Sequence, residues 1–133
     1  MTLRPLLAGF AVLCLSAVPT AAQAPAGALS SIQTGLWQLR ALSGASQGGT
    51  RSICVRNPGQ LLQLGHGMQN CQRRVLSDSG NEISVRYECR GSDWGQTSVR
   101  VETPRLANID TQGIRGGGPF HSRYEARRTG SCS

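Results

Sequence analysis

Lysine is missing from this 133-residue chain, so every one of its 14 basic residues is an arginine. The glycine run Gly116-Gly117-Gly118 therefore lacks the lysine and the following helix of a phosphate-cradling loop, and it reads as a turn that needs positive backbone dihedrals. No two cysteines form a Cys-x-x-Cys pair, and the two histidines, His66 and His121, lie on separate segments. That spacing excludes the common structural zinc sites, and no metal or cofactor is implied. There is no Gly-x-Ser-x-Gly turn to present a nucleophile. Aromatic residues are few, and behind residue 24 only Trp37, Tyr87, Trp94, Phe120 and Tyr124 remain. No internal repeat and no long helical period interrupt the chain.

What is present begins with an export signal over residues 1–24. Arg4 is its positive start, Leu6 to Val18 its apolar stretch, and small residues between Ala22 and Ala26 its cleavage region. The apolar stretch is too short to span a bilayer, so no transmembrane segment is expected in the mature protein. Cys14 does not make a lipoprotein, because Leu13 stands where a small residue is required. Residues 25–33 read as a flexible leader, and residues 34–133 as one domain stapled by disulfides. A domain of about 110 residues buries only about two thirds of its unfolded surface, so covalent staples matter. Cys54, Cys71, Cys89 and Cys132 are expected to form two disulfides in an oxidising compartment, periplasmic or secreted.

From Thr34 onward, apolar and polar residues alternate with period two between clusters of Gly, Asn, Asp and Pro, the pattern of half-buried antiparallel strands. Runs at 35–43, 50–55, 71–76, 82–89, 96–102, 106–111 and 120–126 are expected strands, with 113–118 a loop. Asn57 as N-cap, Pro58 at the first helical position and the leucines at 61, 62 and 64 predict one short helix near residues 57–64. The expected fold is mainly β: a single antiparallel sheet curled into a partial barrel or folded as a small sandwich, with that helix at one end. Ser77 to Asn81 forms a turn that sets Val75 opposite Val85 and Cys71 opposite Cys89.

Formal charge is +7, falling to +6 if Arg4 leaves with the signal. The arginines are dispersed, adjacent only at Arg73-Arg74 and Arg127-Arg128, which argues against nucleic acid and leaves anionic envelope lipid or polysaccharide, or an envelope protein, as partners. The candidate anion contacts are Arg86 and Arg100 on polar strand faces and Arg127 and Arg128 near the last strand. Trp37 shares a face with Leu39 and is assigned to the core, whereas Trp94 is a candidate ligand contact. His66, between two glycines, reads as a surface loop residue, and His121 as pointing to solvent. No catalytic residue is assigned.

Gly35-Leu36-Trp37 at the domain start, the cysteines at 54, 71 and 89, and Arg128-Thr129-Gly130-Ser131-Cys132 at its end resemble the domain-of-unknown-function 3617 family of small exported bacterial proteins. That resemblance implies an exported β-rich domain with disulfides, and brings no activity with it. Four cysteines permit three connectivities. The expected pairing is Cys54 with Cys71 and Cys89 with Cys132. Its rival pairs Cys71 with Cys89 and Cys54 with Cys132, and ranks second because a directly cross-strand bridge is geometrically tight. The functional expectation is a non-enzymatic binding or interaction module of the periplasm. The alternatives are an envelope carrier of a small apolar ligand and a hydrolase with a dispersed site.

Overall fold

The computed structural model describes residues 27–44, 47–67 and 69–133; the export signal read over residues 1–24 lies outside them. A 3-10 turn η1 (Ala28–Ser31) leads into strands β1 (Gly35–Ser43) and β2 (Thr50–Val55). A 3-10 helix η2 (Pro58–Gln63) follows, then β3 (Gln72–Ser79), β4 (Glu82–Glu88), β5 (Trp94–Thr103), β6 (Leu106–Arg115) and β7 (Gly118–Gly130). The strands form one antiparallel sheet in the order β2-β1-β7-β6-β5-β4-β3. With β2 and β3 as free edges the barrel is partial and unclosed, and among the described residues there is no second sheet to make a sandwich. The sheet curls far enough that Arg51 of β2 and Arg73 of β3 line one groove.

Period-two alternation decides which side is concave. Trp37, Leu39 and Ala41 of β1, Ile83, Val85 and Tyr87 of β4, Val99 and Val101 of β5, and Ala107 and Ile109 of β6 are all buried, while their sequence neighbours face outward. Each such aliphatic side chain contributes about 1.5–3 kcal/mol when withdrawn from water. A one-residue slip in any strand would turn that set outward, so burial fixes the register. Leu61 and Leu62 of η2 fill the concavity. Asn57 caps η2 by accepting from the Gly59 amide at 2.8 Å, and the Gln60 side chain accepts in return from the Asn57 amide at 3.0 Å.

Several expectations are corrected. The leader read over 25–33 is not free from Gly27 onward: Ala28 and Ile32 are buried in the core, and the Ala28 amide donates to Asp78 at 2.8 Å. The apolar Ile32 and the single carboxylate of Asp78 together dock this segment. The loop expected over 113–118 is a hairpin whose turn is Gly116-Gly117, both with positive φ (57° and 80°), as a two-residue turn between twisted strands requires. His66 is not a surface residue. It is 4% exposed.

The disulfide pairing is corrected too: the bonds are Cys54–Cys132 and Cys71–Cys89. The register Gln72 opposite Glu88 continues by one step to set Cys71 beside Cys89, with Cα atoms 4.1 Å apart. At the other end, Leu36 of β1 lies opposite both Cys54 of β2 and Gly130 of β7, so the chain leaving β7 crosses β1 to reach Cys54. Hairpin register, which places Val75 opposite Val85 as expected, therefore dictates the pairing that strain had ranked second.

Within the concavity one polar chain is buried. Tyr87 stands on Gly95, its cross-strand partner, where any Cβ would collide with the phenol ring. His66 Nδ1 lies 3.0 Å from the Tyr87 hydroxyl and Nε2 lies 2.9 Å from the Ile114 carbonyl. A carbonyl only accepts, so Nε2 donates to Ile114; with the neutral ring Nδ1 is then the acceptor for the Tyr87 hydroxyl. Thr97 and Thr111 bond to each other at 2.8 Å beneath this chain. Phe120 closes it edge-on, its ring 5.6 Å from that of His66.

Two predictions follow from this packing. Non-reducing peptide mapping will recover Cys54–Cys132 and Cys71–Cys89. Replacing the first pair by alanine, which opens a separation of 78 residues, should cost about 4 kcal/mol in urea unfolding, and replacing the second, 18 residues apart, about 3 kcal/mol. Burial raises the Tyr87 phenol above its ordinary value, even though the hydroxyls of Thr111 and Thr97 act to lower it. A raised folded value means that stability is complete below the unfolded tyrosine value of about 10 and is lost as pH climbs through the folded one. An absorbance titration should show Tyr87 ionising above the ordinary tyrosine range and in step with falling stability; ionisation of Tyr87 in the ordinary range without loss of structure would contradict the packing.

Candidate binding groove

The arginines singled out on the outer strand faces already have partners. The Arg86 guanidinium lies 4.2 Å from the centre of the Trp94 ring and 3.6 Å from Glu88. Sequence reasoning thus named two residues that the fold brings together, but as a stacked pair that covers one face of the indole. Arg100 meets Glu82 through both Nε (2.9 Å) and a terminal nitrogen (2.8 Å). Arg127 is 3.6 Å from Glu125, and Arg128 donates to the Thr34 carbonyl at 2.7 Å. Exposed pairs of this kind contribute only about 0–1 kcal/mol each; Glu125 is shared with Arg40, and the carbonyl bond of Arg128 leaves its charge uncompensated.

Among the described residues neither histidine is hydrogen-bonded to a serine or a cysteine, and Asp93 Oδ2 lies 3.8 Å from His66 Nε2. Both ring nitrogens of His66 are engaged by Tyr87 and Ile114, and His121 Nε2 is held by Asp110 at 2.9 Å on the exposed surface. Among the described residues no three of His, Cys, Asp and Glu come together as metal ligands. None of the described helices is long and apolar enough to cross a membrane.

Sequence reasoning missed a different set. Arg51 is opposite Leu39, Arg73 is opposite Tyr87, and Arg115 continues the buried series Ile109, Thr111, Gly113. All three occupy positions whose neighbours point into the core. Arg51 and Arg73 stand on the two free edges, and neither makes an ion pair among the described residues. The Arg51 guanidinium lies 5.9 Å from the Tyr124 ring centre. A terminal nitrogen of Arg73 lies over Gly59 of η2, close enough that a Cβ there would sit 3.1 Å away. The signal in the sequence was the alternation itself: Arg51 shares parity with Ile53 and Val55, and Arg73 with Cys71 and Val75.

Between these arginines runs a groove of ≈ 580 Å³, open to solvent, in the size range of small-molecule sites. Ile53, Leu64 and the Cys54 end of the disulfide supply its apolar lining; Asn57, Gln60, Gln63 and Gln69 add amides. Gln63 donates to the Gly67 and Gln69 carbonyls at 3.0 and 2.7 Å, holding the loop that forms one end. No carboxylate lines the groove. Two guanidiniums without a counter-charge beside an apolar surface are chemically suited to an anionic group carried on an apolar body.

No curated protein and no solved structure matches the chain. The model of one family does match, over residues 32–132, from the buried Ile32 to Cys132 of the terminal disulfide, thus covering the whole sheet and both disulfides. With most of the chain matched, the protein belongs to the family described as "Protein of unknown function (DUF3617)".

Proposed function

We propose that this protein is a non-enzymatic, exported binding module whose groove between the two sheet edges holds an anionic amphiphile. The observation that carries this reading is the pair Arg51 and Arg73, aimed inward beside Ile53 and Leu64 with no acid in the lining. Two disulfides support a site of action in an oxidising compartment such as the periplasm. A carrier holding a wholly apolar ligand inside the sheet is less well supported, because Trp37, Tyr87, Leu39 and Leu61 already fill the interior. The groove reading moves the ligand from the barrel interior to its mouth, and the anion contacts from Arg86, Arg100, Arg127 and Arg128 to the edges.

The test is calorimetric titration of the oxidised mature chain with dodecanoate. Binding should weaken as salt rises. Arg51→Gln and Arg73→Gln should each weaken it about tenfold, the loss of one charge-assisted hydrogen bond, while Arg86→Gln leaves it unchanged. Binding indifferent to both edge arginines, or no binding at all, would overturn the proposal.

A further inference from the structure

A second cavity of ≈ 450 Å³ opens beside the groove, and the two share Arg51 and Leu64 as lining. They are therefore one trough, with Leu64, just past η2, as the common wall. Along it the guanidiniums fall in the order Arg73, Arg51, Arg115: Arg73 lines the first cavity only, Arg51 both, and Arg115 the second only. Arg115 is fixed there, because one of its terminal nitrogens donates to the Gly65 carbonyl at 2.9 Å and its guanidinium lies 5.2 Å from the Phe120 ring centre. One bond to a carbonyl uses one of five N–H donors and neutralises nothing. Hydroxyls at Thr111 and Ser122 make the second cavity more polar than the first, and it too is lined by no carboxylate.

A ligand with a single anionic head satisfies one end of this trough and leaves the guanidinium charge at the other end uncompensated. Resting on the groove reading above, we infer that the natural ligand class is an amphiphile with two separated anionic groups, its apolar span lying along Leu64 and Ile53. One negative group is held between Arg73 and Arg51, the other by Arg115 beside the Ser122 hydroxyl.

The experiment compares dodecanoate with a series of α,ω-dicarboxylates, from octanedioate to hexadecanedioate, titrated calorimetrically into the oxidised mature chain. At least one dicarboxylate should bind about tenfold more tightly than dodecanoate, the worth of one added charge-assisted contact. In Arg115→Gln that preference should fall to within about twofold, and Arg115→Lys, which keeps the charge, should restore most of it. Circular dichroism of both variants separates lost preference from lost fold. If dodecanoate binds through Arg51 and Arg73 while no dicarboxylate exceeds it, or if the preference survives Arg115→Gln, the two-anion inference fails and the groove reading stands. If neither class of ligand binds, both fail.

Discussion

Everything in this fold leans on the contact between Tyr87 and Gly95. Gly95, paired with Gly113 across β5 and β6, leaves the space that the Tyr87 phenol ring fills, and a Cβ at Gly95 would collide with that ring. The hydroxyl thereby reaches the centre of the concavity, where it holds His66. His66 belongs to the segment that follows η2, so this one hydrogen bond ties the 3-10 helix to the floor of the sheet. Its second nitrogen reaches Ile114, near the end of β6. Had apolar packing alone placed η2, nothing would fix its direction. The hydrogen-bonded chain from Tyr87 through His66 to Ile114 orients it, at the cost of requiring every member to be satisfied.

Orientation of η2 in turn creates the trough. The sheet is too short of strands to close, and its concave face runs out of apolar residues at the edges, where Arg51 and Arg73 take positions that on inner strands hold Leu39 and Tyr87. An edge strand must also be protected from pairing with another chain. β3, exposed along its whole length with Val75 and Leu76 open to solvent, carries a bulge between Val75 and Ser77, adjacent arginines and a disulfide at its start. The inward arginines serve that protection as well as the groove, which explains why the same residues both end the core and begin the site.

Much of this was legible from sequence. β1 and β2 keep the bounds their alternation predicts, because Gly44 and Gly49 mark the two sides of the turn between them, Asn57-Pro58 follows β2, and one face of β1 is core. The short helix was marked by its cap, Asn57-Pro58, but its 3-10 form was not, since six residues of leucine-rich sequence do not distinguish the two helix types. β6 and β7 run longer than their alternation suggested, because Gly116-Gly117 turns so tightly that pairing continues to Arg115 and Gly118. The pairing of Cys71 with Cys89 was already contained in the hairpin register. The site was not found by the same logic, because arginines were sought on the polar faces, where Glu82, Glu88 and Glu125 share the face with three of them. The informative ones were those that broke the pattern, a distinction that local alternation carries only once the inward face is known. His66 was invisible for a different reason: nothing local to Gly65-His66-Gly67 announces a partner at Tyr87, 21 residues away.

The central claim is that charge available for a ligand lies inside the curl and not on its outer face. Nitrogen-15 spectra of the arginine Nε groups, recorded on the oxidised protein during titration with dodecyl phosphate, test it most directly. The account predicts that the Arg51 and Arg73 resonances shift in a saturable manner while those of Arg86 and Arg100, already paired with Trp94 and Glu82, stay in place. Saturable shifts at Arg86 and Arg100 with Arg51 and Arg73 unmoved would contradict it.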